Sequence, residues 1–185
     1  KSIYFNINRS IHYFLLSANF NHSTAQLYLG VIYYKKKYGK RDIQKAIYYF
    51  SLSANQNESI AQFNLGKIYY ENKHFQRDIQ KAIHYFLLSA NQNNHNSQCY
   101  LGNIYFEGKY VSRNIDKAIY YYELVGHIYL QAMYNLSRIY EKYKKPFDST
   151  CLEKSTYYLY SAARFGFPQA QYKLGSQLYQ NFFLP

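Results

Sequence analysis

The chain has 185 residues, of which 48% are hydrophobic and 21% aromatic, and its formal net charge is +12. Three prolines and eight glycines are too few for a turn-rich β protein, and no run of about 18 apolar residues indicates a membrane span. The two cysteines, Cys99 and Cys151, make neither a disulfide framework nor a metal set. We expect them to be small buried side chains in a reducing compartment, with the cytoplasm favoured. The charge raises nucleic acid and anionic membrane as partner classes and establishes neither.

A repeat of 36 residues is the dominant signal in the sequence. Leu-Gly or Leu-Ser pairs recur at nearly constant steps, beginning at Leu29, Leu65, Leu101, Leu136 and Leu174. A tyrosine stands three residues after the small residue in each of the first four pairs, at Tyr33, Tyr69, Tyr105 and Tyr140. A Lys-Ala-Ile tripeptide shares the step, beginning at Lys45, Lys81 and Lys117. A period of this length is typical of arrays of two-helix units.

Each repeat is predicted to contain two α-helices, the first with the Leu-Gly pair and the second with the Lys-Ala-Ile tripeptide. Apolar residues of the first helix follow one helical face, at Ala25, Leu29, Ile32 and Tyr33. Those of the second helix do the same, at Ile43, Ala46, Ile47, Phe50 and Ala54. The predicted fold class is therefore all-α, a solenoid of about five helix-turn-helix repeats of 36 residues.

Short polar residues mark the predicted helix ends. The residues expected to cap the N-termini of the second helices are Asn6, Asp42, Asp78 and Asn114. The residues expected to adopt a left-handed conformation after these helices are Asn21, Asn57, Asn93 and Gly166. A capping box from Thr150 to Glu153 is predicted to open the last second helix, after Pro146.

Small residues inside the predicted first helices indicate close helix crossings. They are Gly30, Gly66, Gly102 and Gly175, with Ser137 at the same place in the fourth copy. Each glycine costs about 1 kcal/mol relative to alanine in a helix interior. We therefore expect a neighbouring helix to cross closely at each of these positions.

We expect one array over residues 1–185 and a fragment of a longer protein, because both terminal repeats are incomplete. The expected units are a partial repeat at 1–22, full repeats at 23–58, 59–94, 95–129 and 130–167, and a partial repeat at 168–185.

The repeat reads Ala-x-x-x-Leu-Gly-x-x-Tyr, then Asp-x-x-Lys-Ala-x-x-Tyr-Phe-x-x-Ser-Ala. This pattern resembles the Sel-one-like repeat (SLR) family of the tetratricopeptide-like helical repeat superfamily, over nearly the whole chain. The resemblance implies a right-handed α/α superhelix and an adaptor that binds other proteins. The linking loop of the family usually contains two glycines. Gly108 keeps one of them, whereas Lys36 and Asn72 replace it in earlier copies.

The resemblance also implies that first helices line a concave groove. The predicted partner-binding residues are Leu27, Val31, Tyr34, Phe63, Lys67, Tyr70, Asn103, Phe106, Tyr134, Arg138, Tyr172 and Tyr179. The rings of Tyr34, Tyr70, Phe106 and Tyr179 would form an aromatic ladder, and Lys67 and Arg138 would add positive charge. Such a groove suits a peptide with acidic and apolar side chains. The alternative is that these rings only pack between successive repeats.

The sequence shows no catalytic constellation. Its six histidines lack the spacing of a zinc site, and no nucleophile can be paired with a base. We expect a protein–protein interaction scaffold with no enzymatic activity, cofactor or metal. RNA binding by a basic helical array is the alternative, and an architectural spacer is a third interpretation. The basic run from Lys35 to Arg41 is either a solvated loop or a patch for nuclear import or nucleic acid.

Overall fold

A computed structural model describes residues 2–35, 41–71, 77–143 and 149–183, without the side chains of 2–6 and 181–183. These residues form ten α-helices and no strand. In chain order the helices are α1 (Ser2–Asn19), α2 (Ser23–Tyr34), α3 (Ile43–Asn55), α4 (Ser59–Glu71), α5 (Ile79–Ala90), α6 (His95–Glu107), α7 (Ile115–Val125), α8 (Leu130–Lys142), α9 (Ser149–Arg164) and α10 (Pro168–Phe183). The predicted all-α class of helix-turn-helix repeats is confirmed.

The helices fall into two compact units, unit 1 (Lys1–Ser97) and unit 2 (Gln98–Pro185). Unit 1 contains α1 to α5 and the first residues of α6, and unit 2 contains the remainder. Several predicted loop features lie outside the described residues, namely Lys36, Asn72, Pro146 and most of the basic run from Lys35 to Arg41.

Three of the predicted N-caps are confirmed. The side-chain oxygens of Asp42, Asp78 and Asn114 accept hydrogen bonds of 2.9–3.0 Å from backbone N–H groups three residues ahead. The prediction for Asn6 is wrong, because α1 already begins at Ser2 and no breaker stops it there. Thr150 likewise lies inside α9, which begins at Ser149, so its side chain is not at the N-cap position.

The predicted left-handed residues are all confirmed, with φ of 59° at Asn21, 65° at Asn57, 60° at Asn93 and 89° at Gly166. Two of the asparagines also anchor a buried glutamine. Gln62, 2% exposed, donates to Asn57 Oδ1 at 3.3 Å and accepts from Gln92 Nε2 at 2.8 Å. Gln92 Nε2 also donates to Asn57 Oδ1 at 3.1 Å. The same arrangement joins Asn21, Gln26 and Gln56.

Asn57 therefore contributes both a backbone conformation and a hydrogen-bond acceptor, and two substitutions separate these contributions. Asn57→Gly keeps the left-handed conformation and loses the acceptor, so we expect the free energy of unfolding to fall by about 1 kcal/mol. Asn57→Ala also strains the backbone, and we expect a fall of about 1.5 kcal/mol. Urea unfolding followed by circular dichroism measures both values. An Asn57→Gly chain as stable as the wild type would show that the glutamine contacts contribute nothing.

Close helix crossings occur at three of the four predicted glycines. A Cβ atom at Gly30 would lie 2.5 Å from the Phe50 ring, and one at Gly66 would lie 2.6 Å from the Phe86 ring. At Gly102 the ring is that of Tyr122, at 2.7 Å. The prediction for Gly175 stays untested, because no described helix follows α10, and no described atom lies within 4 Å of a Cβ placed there. The other three glycines let a buried ring of the next helix lie directly on the helix backbone.

The tyrosine after each Leu-Gly or Leu-Ser pair stacks on a tyrosine of the next helix. The pairs are Tyr33–Tyr49, Tyr69–Tyr85, Tyr105–Tyr121 and Tyr140–Tyr158, with ring centroids 5.7–6.0 Å apart. A lysine ammonium lies 5.0–5.5 Å from the first ring of each pair, from Lys45, Lys81, Lys117 and Lys154. Stacking and cation–π attraction thus repeat with the same period as the sequence.

Candidate partner-binding site

The residues predicted on α2 lie at different depths in unit 1. Leu27 was expected at a groove surface, but its side chain is only 7% exposed. It packs in a core cluster with Phe50 of α3 and Leu65 of α4, which cover it from two helices. Val31 and Tyr34 are half-buried against the same cluster. Leu27 is therefore left out of the surface proposed below.

The predicted rings of unit 1 contact the core and are also partly exposed. Tyr34 meets Phe50 edge to face, with ring centroids 6.5 Å apart, and the Arg41 guanidinium lies 4.5 Å from the Tyr34 centroid. On α4, the rings of Phe63 and Tyr70 lie 6.1 and 6.3 Å from that of Phe86. Lys67, also on α4, pairs with Glu71 at 3.9 Å. Packing against the core therefore explains in part why aromatic residues stand at these positions.

Unit 2 brings Asn103, Phe106 and Arg138 together around one surface cavity of about 690 Å³. Sequence reasoning missed the other residues of its lining, which are Glu107, Lys109, Arg113, Gln131, Asn135 and Tyr143. The lining carries three basic side chains and one acidic side chain. We call this feature, between α6, α8 and the segment that follows α6, the unit 2 cavity.

Aromatic rings and guanidinium groups are combined in the unit 2 cavity. The Phe106 ring meets the Tyr143 ring edge to face at 6.5 Å, and the Arg138 guanidinium lies 5.5 Å from the Phe106 centroid. Arg113 donates to the Tyr143 hydroxyl at 3.2 Å and to the Glu107 carbonyl at 3.3 Å. Both guanidinium groups are therefore held beside apolar rings, where they can meet a carboxylate next to an apolar side chain.

A chain of directed hydrogen bonds links Gln131 to Asn103, two residues that line the unit 2 cavity. Gln131 Nε2 donates to Asn135 Oδ1 at 3.1 Å, and Asn135 Nδ2 donates to the Tyr122 hydroxyl at 2.9 Å. The Tyr122 hydroxyl donates to Asn103 Oδ1 at 2.7 Å. Burial raises the pKa of Tyr122, which outweighs the opposing effect of the bond from Asn135. The phenol therefore remains protonated, and a donor, throughout the physiological range.

One sequence signal could have identified this network. Tyr122 stands at the position of Phe50 and Phe86 in the 36-residue step, and it is the one that carries a hydroxyl. Its partner Asn103 stands at the position of Val31 and Lys67. Two polar changes at facing positions of one repeat indicate a local network, but only the structure shows that they meet.

The remaining predicted residues of unit 2 lie apart from the cavity. Tyr134 is half-buried against Phe167, with ring centroids 5.4 Å apart, and Arg138 links it to the cavity at 5.9 Å from its ring. Tyr172 and Tyr179 are 80% and 65% exposed and line a separate shallow depression on α10. Of the six predicted residues in unit 2, three line the unit 2 cavity, Tyr134 contacts the lining residue Arg138, and Tyr172 and Tyr179 lie elsewhere on α10.

The described residues show no cluster of histidine, cysteine and acidic side chains arranged to hold a metal ion. Cys99 and Cys151 are half-buried, and burial raises the pKa of the Cys99 thiol. Of the helices in the described ranges, none combines the length and apolar character that crossing a membrane requires.

Comparison with known proteins relates the repeat to solved structures. The chain is similar to c5321, a protective antigen of uropathogenic Escherichia coli strains with an SLR fold, at 30% identity and a TM-score of 0.80 over 92% of this chain. It is also similar to a Sel1 repeat protein from Oxalobacter formigenes, at 25% identity and a TM-score of 0.70 over 85% of this chain. The matches span 36% and 64% of those two proteins, less than two thirds of either. No curated protein sequence matches the chain.

The family model of the Sel1 repeat matches residues 23–58, 59–94, 95–124, 130–142 and 168–181. Proteins built from this repeat generally serve as scaffolds for protein–protein interactions and are typically non-catalytic. By this match, which extends over most of its length, the chain belongs to the Sel1 repeat family.

Proposed function

We propose that the chain is a protein-interaction adaptor without catalytic activity of its own, and that its unit 2 cavity binds a partner segment with acidic and apolar side chains. The observation that carries this proposal is the combination of Lys109, Arg113 and Arg138 around the partly exposed Phe106 ring, with Glu107 as the one opposing charge. Guanidinium groups bind carboxylates with two parallel hydrogen bonds, and aromatic rings anchor apolar groups at interfaces.

The other surface residues of the predicted set are proposed as additional contacts. They are Val31, Tyr34, Phe63, Lys67 and Tyr70 in unit 1, and Tyr134, Tyr172 and Tyr179 in unit 2. Tyrosine and phenylalanine at these half-buried or exposed positions suit a partner with apolar side chains, and the Lys67 ammonium suits an acidic one. We assign the strongest contribution to the unit 2 cavity, because it combines several cations with an aromatic ring and a recess.

Selection of peptides tests the proposal. The 185-residue chain is immobilised and challenged with random peptides displayed on phage, and we expect selected sequences to combine Asp or Glu with apolar residues. Phe106→Ala removes an aromatic ring that lines the cavity, so we expect it to weaken a selected peptide about tenfold in fluorescence polarisation. Tyr160→Ala is the matched control, because Tyr160 is 58% exposed on α9 and does not line the cavity.

The outcome against the proposal is specific. Selected peptides that lack acidic residues, or that bind the Phe106→Ala and Tyr160→Ala chains equally, would remove the unit 2 cavity as the binding site. Oligouridine RNA serves as the competing probe, because the charge of +12 favours nucleic acid as the alternative partner. Sub-micromolar RNA binding in physiological salt, falling log-linearly with added salt, would replace the adaptor interpretation with RNA binding.

A further inference from the structure

The hydrogen-bond chain in the unit 2 cavity identifies the part of a partner that it holds. We infer that Asn103 Nδ2 donates to a backbone carbonyl of the bound segment, that Gln131 Oε1 accepts from a backbone N–H, and that the Tyr122 hydroxyl positions both amides. This inference rests on the proposed function and deepens it, since it adds recognition of an extended backbone to recognition of acidic side chains.

The direction of the hydrogen bonds is the first argument. Every bond donates from Gln131 towards Asn103, through Asn135 and the Tyr122 hydroxyl. Asn135, which is 5% exposed, uses its amide oxygen and its amide nitrogen within the network. In this arrangement the bonds to the buried members orient both terminal amides. One end of the chain therefore presents a donor, and the other end presents an acceptor.

The two ends are open to the cavity. Asn103 and Gln131 both line it, and within the described ranges Asn103 Nδ2 and Gln131 Oε1 have no hydrogen-bond partner. A peptide backbone offers one acceptor and one donor per residue, and it needs both satisfied when an interface removes water. An oriented donor and an oriented acceptor in one recess match that requirement.

The hydroxyl of Tyr122 is not needed for packing. Phe50 and Phe86 fill the equivalent positions, are fully buried and lie on Gly30 and Gly66 as Tyr122 lies on Gly102. Residues equivalent to Asn103 are Val31 and Lys67, which cannot accept such a bond through a side-chain oxygen. Since a buried polar network stabilises only when its members are satisfied, this one points to a role in binding that the other repeats do not share.

Tyr122→Phe is the test, because the chain itself uses phenylalanine at this position in two other repeats. The probe is the acidic peptide selected on the wild-type chain, measured by fluorescence polarisation at constant salt. We expect Tyr122→Phe to weaken it about fivefold, since two hydrogen bonds that orient the amides are lost. Circular dichroism and the thermal midpoint report folding. Gln131→Leu, at an exposed position, gives a second measurement if Tyr122→Phe unfolds the chain.

Backbone recognition has its own readout. A series of the same peptide is made with one backbone nitrogen methylated at a time, and we expect one methylation to weaken binding to the wild-type chain about fivefold. That loss should disappear with Gln131→Leu, because the acceptor is then gone. A purely structural role of the network would not produce this coupling.

Failure of the inference can be told apart from failure of the proposed function. If Phe106→Ala weakens the peptide, while Tyr122→Phe does not and every methylated peptide binds as the parent does, the inference is overturned and the adaptor stands. If neither Phe106→Ala nor Tyr122→Phe weakens the peptide, the unit 2 cavity is not its site and both fail. Loss of affinity in Tyr122→Phe with one sensitive methylation position supports the inference.

Discussion

Phe86→Ala is expected to lower the free energy of unfolding by about 4 kcal/mol, the range found for large aromatic deletions in a core. Phe86 is fully buried, and the Phe63 and Tyr70 rings lie 6.1 and 6.3 Å from its ring. Its ring also lies directly on the α4 backbone at Gly66. The loss therefore opens a cavity between α4 and α5 that neighbouring rings, themselves held by packing, fill only in part.

Because the Phe86 ring lies on Gly66, we expect the effect of Gly66→Ala on the free energy of unfolding to change sign between the wild-type and Phe86→Ala chains. In the wild-type chain the new Cβ would lie 2.6 Å from the Phe86 ring, and overpacking by about 1–3 kcal/mol outweighs a helix propensity gain of about 1 kcal/mol. In the Phe86→Ala chain the ring is absent, so only the gain remains. Gly66→Ala should thus destabilise the first background and stabilise the second.

Gly175→Ala is the matched control, because it makes the same change inside a helix with no described atom within 4 Å of the new Cβ. We expect it to stabilise the chain by about 1 kcal/mol. Urea unfolding of the single and double variants, with circular dichroism and tyrosine fluorescence as parallel probes, gives all the values. If Gly66→Ala stabilises both backgrounds alike, the ring does not restrict Gly66, and the account of these close crossings is wrong.

The periodic part of the fold could be predicted because the same residue types recur at the same places in successive repeats. Three close helix crossings at glycine, three N-caps and four left-handed residues were predicted from small and short polar residues at regular spacing. At the three confirmed crossings, the ring that covers each glycine comes from the next helix, so the glycine alone does not identify which side chain lies over it. The N-cap prediction for Asn6 was wrong because Asn6 stands at the same place in the 36-residue step as the other caps, whereas α1 continues through it.

The candidate site could be predicted only where it follows the period. Asn103, Phe106 and Arg138 were expected because the family resemblance implies a groove along the first helices, but the same argument also placed Leu27 at the surface, where two helices bury it. Arg113 and Gln131 were missed, because Arg113 lies in the segment after α6 and Gln131 lies at the start of α8, before the positions that flank the Leu-Ser pair. The departures from the repeat, above all Tyr122, carry more information about the site than the repeat itself.

Arg138→Glu is expected to weaken an acidic peptide selected on the wild-type chain at least about 30-fold, or about 2 kcal/mol. Arg138 lies beside the Phe106 and Tyr134 rings, and its side chain lines the unit 2 cavity together with Arg113 and Lys109. The substitution removes a charge-assisted hydrogen bond and places a carboxylate where the peptide brings its own. Because Arg138 is exposed, we expect added salt to reduce the difference between the two chains.

Arg164→Glu separates this local effect from net charge. Arg164 is an exposed residue in the last turn of α9, it does not line the cavity, and the change in formal charge is the same. If binding depends on the unit 2 cavity, only Arg138→Glu weakens the peptide strongly. Equal losses in the two variants would instead mean that the peptide responds to the overall positive charge of the chain, and the cavity would then have no special part in recognition.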